Sequence, residues 1–128
     1  MDLGISGKTA IVCGSSRGLG RACAQSLARA GCKVLVNGID PDRLAATAID
    51  IREETGSEII EVAGDVTTHA GQDALFGKCD APDILITNAG GPPFKDFREL
   101  ERDAMLNGVT WNMITPIELI QHYIDGMA

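Results

Sequence analysis

The sequence predicts an α/β protein: a parallel, doubly wound sheet of strand order 3-2-1-4, with helices on both faces and a long C-terminal helix. Three observations carry that reading. Apolar periodicity switches repeatedly between strand and helix along the first two thirds of the chain. The strand segments are continuous apolar runs, as expected of strands covered on both faces. The first strand also meets the first helix at a glycine-rich turn, Gly14-Ser15-Ser16-Arg17-Gly18-Leu19-Gly20.

Each element has its own signal. Thr9-Ala10-Ile11-Val12-Cys13 is a short apolar run with β-branched residues, ended by Gly14. From Gly18 the period becomes helical, with Leu19, Ala22, Cys23, Leu27 and Ala30 at helix spacing and Gly31 as the C-terminal cap. Lys33-Val34-Leu35-Val36-Asn37 is the second strand. Asp40-Pro41 then supplies an N-cap followed by proline at the first helical position. That helix continues through Leu44, Ala48 and Ile51 and stops near Gly56. Ile59-Ile60-Glu61-Val62 is a third strand, a helix follows Thr67 or Thr68, and Asp83-Ile84-Leu85-Ile86-Thr87 is a fourth strand. Short connections and right-handed crossovers assemble this βαβαβαβ order into the mononucleotide-binding half of a Rossmann-type fold. After a loop at Gly90-Gly91-Pro92-Pro93, the chain reads as helix from about Glu99 to its end. Val109, Met113, Ile117, Ile120, Ile124 and Met127 form one apolar stripe, while Trp111, Leu119 and Tyr123 lie off it. A helix apolar on two sides needs a second partner beyond its own sheet. Thr115-Pro116 should bend or restart it.

Composition narrows the function. The chain's 128 residues make a single domain, residues 1–128, and its 15 glycines do not repeat, which excludes a collagen-like chain. A net charge of −7 argues against nucleic acid or an anionic membrane as the main partner. It leaves anionic small ligands open, because backbone N–H groups bind phosphate without help from net charge. The N-terminus lacks a basic start followed by an apolar run, and no apolar run approaches the ~20 residues of a membrane span. Cys13, Cys23, Cys32 and Cys79 match neither a zinc nor a redox spacing, and His69 and His122 lie far apart, so no metal site is expected. The expected setting is the cytoplasm, with all four cysteines reduced.

The glycine-rich turn carries the chemistry. Glycine allows tight turning, close approach of backbone to a pyrophosphate, and close packing of helix on strand, while the helix N-terminus supplies N–H donors and a positive dipole. The alternative is an ordinary strand-to-helix turn rich in glycine; its place after the first strand of an alternating chain favours phosphate. Gly7-Lys8-Thr9 is no Walker A loop, because it precedes the strand and Asp2 stands where the first glycine belongs.

The spacing Gly14, Gly18, Gly20, followed in order by Gly64-Asp65-Val66 and Asn88-Ala89-Gly90, resembles the N-terminal half of the classical short-chain dehydrogenases/reductases. Asn88-Ala89-Gly90-Gly91-Pro92-Pro93, with Asn112-Met113-Ile114-Thr115-Pro116, looks most like their 3-oxoacyl-acyl-carrier-protein-reductase-like branch. Cys13 departs from that family's usual threonine. The resemblance implies that Gly14, Ser16, Arg17, Gly18, Leu19 and Gly20 hold the pyrophosphate and adenosine side of a dinucleotide. Asp65 would bond the adenine amino group, Val66 would pack on the ring, and Asn88, Ala89 and Gly90 would pass under the nicotinamide ribose. Independently, an Asp just after the third strand lies at the carboxyl edge where such sheets bind ligands; its alternative role is a helix cap.

The same resemblance points to the cofactor. NAD-binding members usually hold the ribose hydroxyls with a carboxylate after the second strand. Here Asn37, counted among the cofactor-binding residues, is followed by Gly38-Ile39, with no carboxylate until Asp40. Arg17 resembles the basic residue that pairs with a ribose 2′-phosphate in NADP-preferring members. NADP is therefore the expected cofactor, with NAD the alternative. Of the family's catalytic groups, Asn112 resembles the asparagine that supports the proton relay. The Tyr-x-x-x-Lys pair has no counterpart, since Met127 stands four residues after Tyr123, the only tyrosine. The resulting expectation is half a domain, inactive alone, with its fourth strand an open apolar edge. It would pair as a homo-oligomer through its C-terminal helix or with a complementing C-terminal fragment. The substrate class is a small carbonyl, alcohol or acyl thioester. A non-catalytic nucleotide-binding or interaction module and a methyltransferase remain the other readings.

Overall fold

The computed structural model describes residues 1–91 and 94–128, so the loop expected at Pro92 and Pro93 lies outside the described residues. Its four strands, β1 (Thr9–Val12), β2 (Lys33–Gly38), β3 (Ile59–Ala63) and β4 (Ile84–Ile86), form one parallel sheet in the order β3-β2-β1-β4. Register is continuous across it: Val12 of β1 pairs with Val36 of β2 and with Ile86 of β4, and Val34 of β2 pairs with Ile59 of β3. The connecting helices are α1 (Gly18–Arg29), α2 (Pro41–Thr55) and α3 (His69–Lys78). Asp40 caps α2 by accepting hydrogen bonds from the N–H groups of Asp42 and Arg43 (3.0 and 3.2 Å), and Thr68 caps α3 through Gly71.

Strand alternation divides the core into two layers. Ala10, Val12, Val34 and Val36 point to the face covered by Ala24, Ala28, Leu44, Ala48 and Ile51 of α1 and α2. Ile11, Cys13 and Leu35 point to the opposite face, covered by Leu75 of α3 and by Leu119 and Tyr123 near the C-terminus. Both faces of the central strands are sealed, which is why they read as unbroken apolar runs.

The buried face of α1 differs from the predicted stripe. Gly20, Ala24 and Ala28 are buried, Cys23 and Leu27 sit at the margin of the core, and Leu19 is 81% exposed. Small residues replace large ones here because the helix lies close to the first turn. A Cβ on Gly20 would stand 2.1 Å from the Gly14 carbonyl oxygen. Close approach thus selects the smallest side chains, not the most apolar ones.

The C-terminal third begins later than predicted. A short 3₁₀ turn, Phe97–Glu99, precedes α4 (Arg102–Val109), because Asp96 accepts from Arg98 N–H and Glu101 is extended at the head of α4. A π-helical turn, Thr110–Ile114, links α4 to α5 (Thr115–Met127) without a break in the helix. The expected disturbance at Pro116 is therefore a widened turn just before it: proline has no N–H to give to the carbonyl four residues earlier, that of Asn112. Leu119 and Tyr123 are buried against the sheet, and the Tyr123 hydroxyl donates to the Cys79 carbonyl at 2.9 Å. The stripe Val109, Met113, Ile117, Ile120, Ile124 and Met127 faces outward.

Candidate nucleotide-binding cleft

The carboxyl ends of all four parallel strands open into one cleft of about 580 Å³. Its floor is held by a buried polar clamp. Asn37, at the end of β2, accepts from Gly14 N–H at 3.2 Å and donates to the carbonyls of Val62 (3.0 Å) and Gly64 (3.1 Å). Ser15 N–H donates to Asn37 O at 2.7 Å, and the Ser15 hydroxyl donates to Val12 O at 2.8 Å. Asn88, just beyond β4, donates to Gly14 O at 3.1 Å. These bonds tie the glycine turn to the ends of β2, β3 and β4, so the turn is positioned by three strands.

At the mouth of the turn the helix α1 presents its first N–H groups to the cleft. Its N-cap is Arg17, whose side chain makes no capping hydrogen bond, and no acidic residue lies in its first turn. In contrast, α2 and α3 have their N-termini closed by Asp40 and Thr68. A helix start without a side-chain cap keeps both its donors and its dipole for an anion. Gly18 adopts φ +62 there, a backbone state that excludes most side chains.

Most of the predicted residues lie along this lining. Gly14, Ser16, Arg17, Gly18, Leu19, Asn37, Asp65, Val66, Asn88, Ala89 and Gly90 all border the cleft. Gly20 does not border it; it is the contact point between α1 and the turn. Asp65 has one carboxylate oxygen engaged by Thr67, through its N–H (2.9 Å) and its hydroxyl (2.7 Å). Val66 is buried in the core beneath the cleft. Asn112 stands outside the lining, exposed on the π-helical turn, where its side-chain amide donates to Gly108 O at 3.0 Å. The lining side chains that the sequence did not assign to the site include Arg43, Thr67 and Trp111. Arg43 was legible in principle, since it lies three residues after the Asp40 cap and so within the first turn of a helix that starts at the sheet's carboxyl edge. Trp111 depends on how the C-terminal helix crosses the sheet.

The thiols play no part in this cleft. Burial pushes the Cys13 thiol up to about 12, which keeps it protonated and inert at neutral pH. Burial also pushes the Tyr123 phenol well above its usual range, with its hydroxyl committed to the core.

Comparison with known proteins agrees with this geometry. A model of the short chain dehydrogenases matches residues 8–128. The chain is 29% identical over 128 residues to the uncharacterized oxidoreductase YvaG of Bacillus subtilis, covering 99% of this chain and 48% of that protein. It is 32% identical over 94 residues to the 3-oxoacyl-acyl-carrier-protein reductase FabG of Aquifex aeolicus, covering 70% of this chain and 38% of that one. The crystal structure of L-sorbose reductase from Gluconobacter frateurii, complexed with NADPH and L-sorbose, superimposes with a TM-score of 0.90 at 32% identity, over 99% of this chain and 50% of that one. The chain thus spans about half the length, or less, of the relatives it matches. With the family's glycine turn at the head of α1 and its parallel sheet in the order β3-β2-β1-β4, the chain belongs to the short-chain dehydrogenase family.

Proposed function

We propose that residues 1–128 are one dinucleotide-binding domain of an NADP(H)-dependent oxidoreductase that interconverts a carbonyl and an alcohol. The observation that carries this reading is the cleft itself: an α1 start without a side-chain cap opens beside a glycine turn at the carboxyl ends of four parallel strands. The residues fit the group. Gly14, Ser16, Gly18 and Leu19 would hold the pyrophosphate, while Asp65 and Val66 flank the adenine. Asn88, Ala89 and Gly90 would line the nicotinamide ribose. Asn37 acts on the cofactor indirectly, by fixing the Gly14 N–H and the Gly64 carbonyl. NADP(H) is favoured over NAD(H) because the carboxylate nearest the end of β2, Asp40, is engaged in capping α2.

When bound, the cofactor supplies the hydride. The chain's own residues bind and orient it, and Asn112 would support proton delivery to the forming alkoxide. The tyrosine and lysine that the family uses for that delivery would come from the rest of a longer protein, since the cleft's described lining contains neither. The substrate is a small carbonyl or alcohol, or an acyl thioester. The partner is a second copy, or a complementing C-terminal fragment, seated on the outward apolar stripe of α4 and α5. No described helix is long and apolar enough to cross a membrane, and the cytoplasm is the proposed location.

Trp111, the single tryptophan, lines the cleft and reports on it. Titrating NADPH into the chain should quench Trp111 fluorescence saturably, and S-adenosylmethionine should leave it unchanged. Saturable binding of S-adenosylmethionine without any of NADPH would replace the oxidoreductase reading with a methyltransferase.

A further inference from the structure

Gln72, on the buried face of α3, is not among the residues that border the cleft, yet it reaches two segments that do. Its side-chain amide donates to the Val66 carbonyl at 2.9 Å and to Glu118 Oε1 of α5 at 3.3 Å. Gln72 is 6% exposed, at a position where an apolar side chain would be the ordinary occupant. A buried amide kept at such a place has its value in the groups it joins.

The first of those groups belongs to a loop that is otherwise closed on itself. Asp65 O accepts from the Thr68 N–H at 3.0 Å and from the Thr68 hydroxyl at 2.7 Å, and an Asp65 carboxylate oxygen accepts from Thr67. The helix α3 lies hard against this loop, since a Cβ on Gly71 would stand 1.8 Å from Asp65 O. The Val66 carbonyl is served by Gln72, and no backbone N–H among the described residues replaces it. The second group lies on the helix that carries Trp111. Glu118 follows Trp111 by seven residues, about two turns along a helix that passes through the π-helical turn without a break. Asp65, Val66, Thr67 and Trp111 all border the cleft. One amide therefore ties together two of the segments that wall it.

We infer that Gln72 is a positioning residue for the dinucleotide: its two hydrogen bonds fix the Asp65–Thr67 loop against α5 and so set the width of the cleft between that loop and Trp111. This inference rests on the proposed dinucleotide site and adds a link from α5 to its adenine side. Gln72 acts through Val66 and Glu118, without touching the ligand itself.

The test separates the tie from the ligand. Amide hydrogen exchange at Thr67 and Thr68 is measured on the ligand-free chain, and NADPH is titrated against Trp111 fluorescence. Both are done on the unaltered chain and on its Gln72→Met, Glu118→Ala and Glu118→Gln variants. Methionine keeps the length of the Gln72 side chain and removes its donors. Gln72→Met and Glu118→Ala should exchange Thr67 about tenfold faster and bind NADPH about fivefold or more weakly. Their Trp111 emission should also shift before any ligand is added. Glu118→Gln keeps an acceptor oxygen and should behave as the unaltered chain does. Glu118 is half-buried, so Glu118→Ala reads the tie even where Gln72→Met does not fold. Unchanged NADPH affinity in Glu118→Ala, or a loss in Glu118→Gln as large as in Glu118→Ala, overturns the inference and leaves the dinucleotide site standing. No saturable NADPH binding by the unaltered chain overturns the dinucleotide reading and the inference with it.

Discussion

The two faces of this sheet are covered by the same chain and yet end in different states. On one face, α1 and α2 lie across β1, β2 and β3, and their buried residues leave no apolar stripe exposed. The Arg21–Asp50 pair at 3.0 Å and the Arg29–Glu54 pair fasten the two helices to each other. On the other face, α5 reaches the sheet through Thr115, Leu119 and Tyr123, but its Ile117, Ile120 and Ile124 remain outside. Between Leu85 and Thr87 on one side and Ile120, Ile124 and Met127 on the other lies an apolar hollow of about 270 Å³. The difference follows from position in the sheet. The first face is centred on β1 and β2, each with a hydrogen-bonded neighbour on both sides, whereas α5 borders β4, a half-buried edge strand paired only with β1. A helix beside an edge strand finds sheet for only one of its apolar sides, and the other remains exposed.

The largest effect should come from the tightest point of the closed face. Gly20→Val forces a side chain into the Gly14 carbonyl and should remove about 3 kcal/mol or more of stability, read by thermal or urea unfolding. A loss below about 1 kcal/mol would mean that α1 moves away from the turn at little cost. Next come neighbours on α5 that face opposite ways. Leu119→Ala should cost about 2–3 kcal/mol through the cavity it leaves, while Ile120→Ala should change stability by no more than about 0.5 kcal/mol. Equal losses at the two positions would show that the outer stripe is as well packed as the inner one.

The smallest effect is a pH slope from Cys13, at the end of β1. Its thiol titrates at about 12 in the folded chain against an ordinary value of 9.0. Below pH 9 it is protonated in both states, so the contribution is fully present. Above pH 9 the unfolded state ionises first and folding loses up to about 1.4 kcal/mol per pH unit until the folded thiol also titrates near pH 12. Unfolding free energies measured between pH 8 and 11 should fall with that added slope, and Cys13→Ala should flatten it. An unchanged slope in the variant would place the alkaline sensitivity elsewhere.

Much of the molecule was legible from local pattern. The four strands, the helices between them, their order, the Asp40 cap and the glycine turn were each announced by periodicity, capping chemistry or spacing, because these depend on residues near one another in the chain. Eleven of the twelve predicted cofactor residues border one cleft for the same reason: each belongs to a segment at the carboxyl edge of a strand. The failures are instructive. Leu19 reads both as part of the helical apolar pattern and as a cofactor residue; it is exposed at the cleft, since apolarity does not say how near a helix must lie to its sheet. Asn37 borders the cleft as expected of a residue at the end of β2, but it also serves as the bolt between three strand ends, which no spacing reveals. Arg43 was not singled out, because its place at the cleft depends on how α2 lies across the sheet.

By itself, then, the sequence determined the class of fold, the strand order and the location of the glycine-rich turn, through short-range periodicity and backbone conformation. Only the tertiary structure decided which small residues of α1 touch the turn and which side of the C-terminal helix is buried. Those outcomes rest on distances between segments far apart in the chain, and a contact such as that of Gly20 with Gly14, or of Asn37 with Gly64, exists only once the strands have been laid side by side.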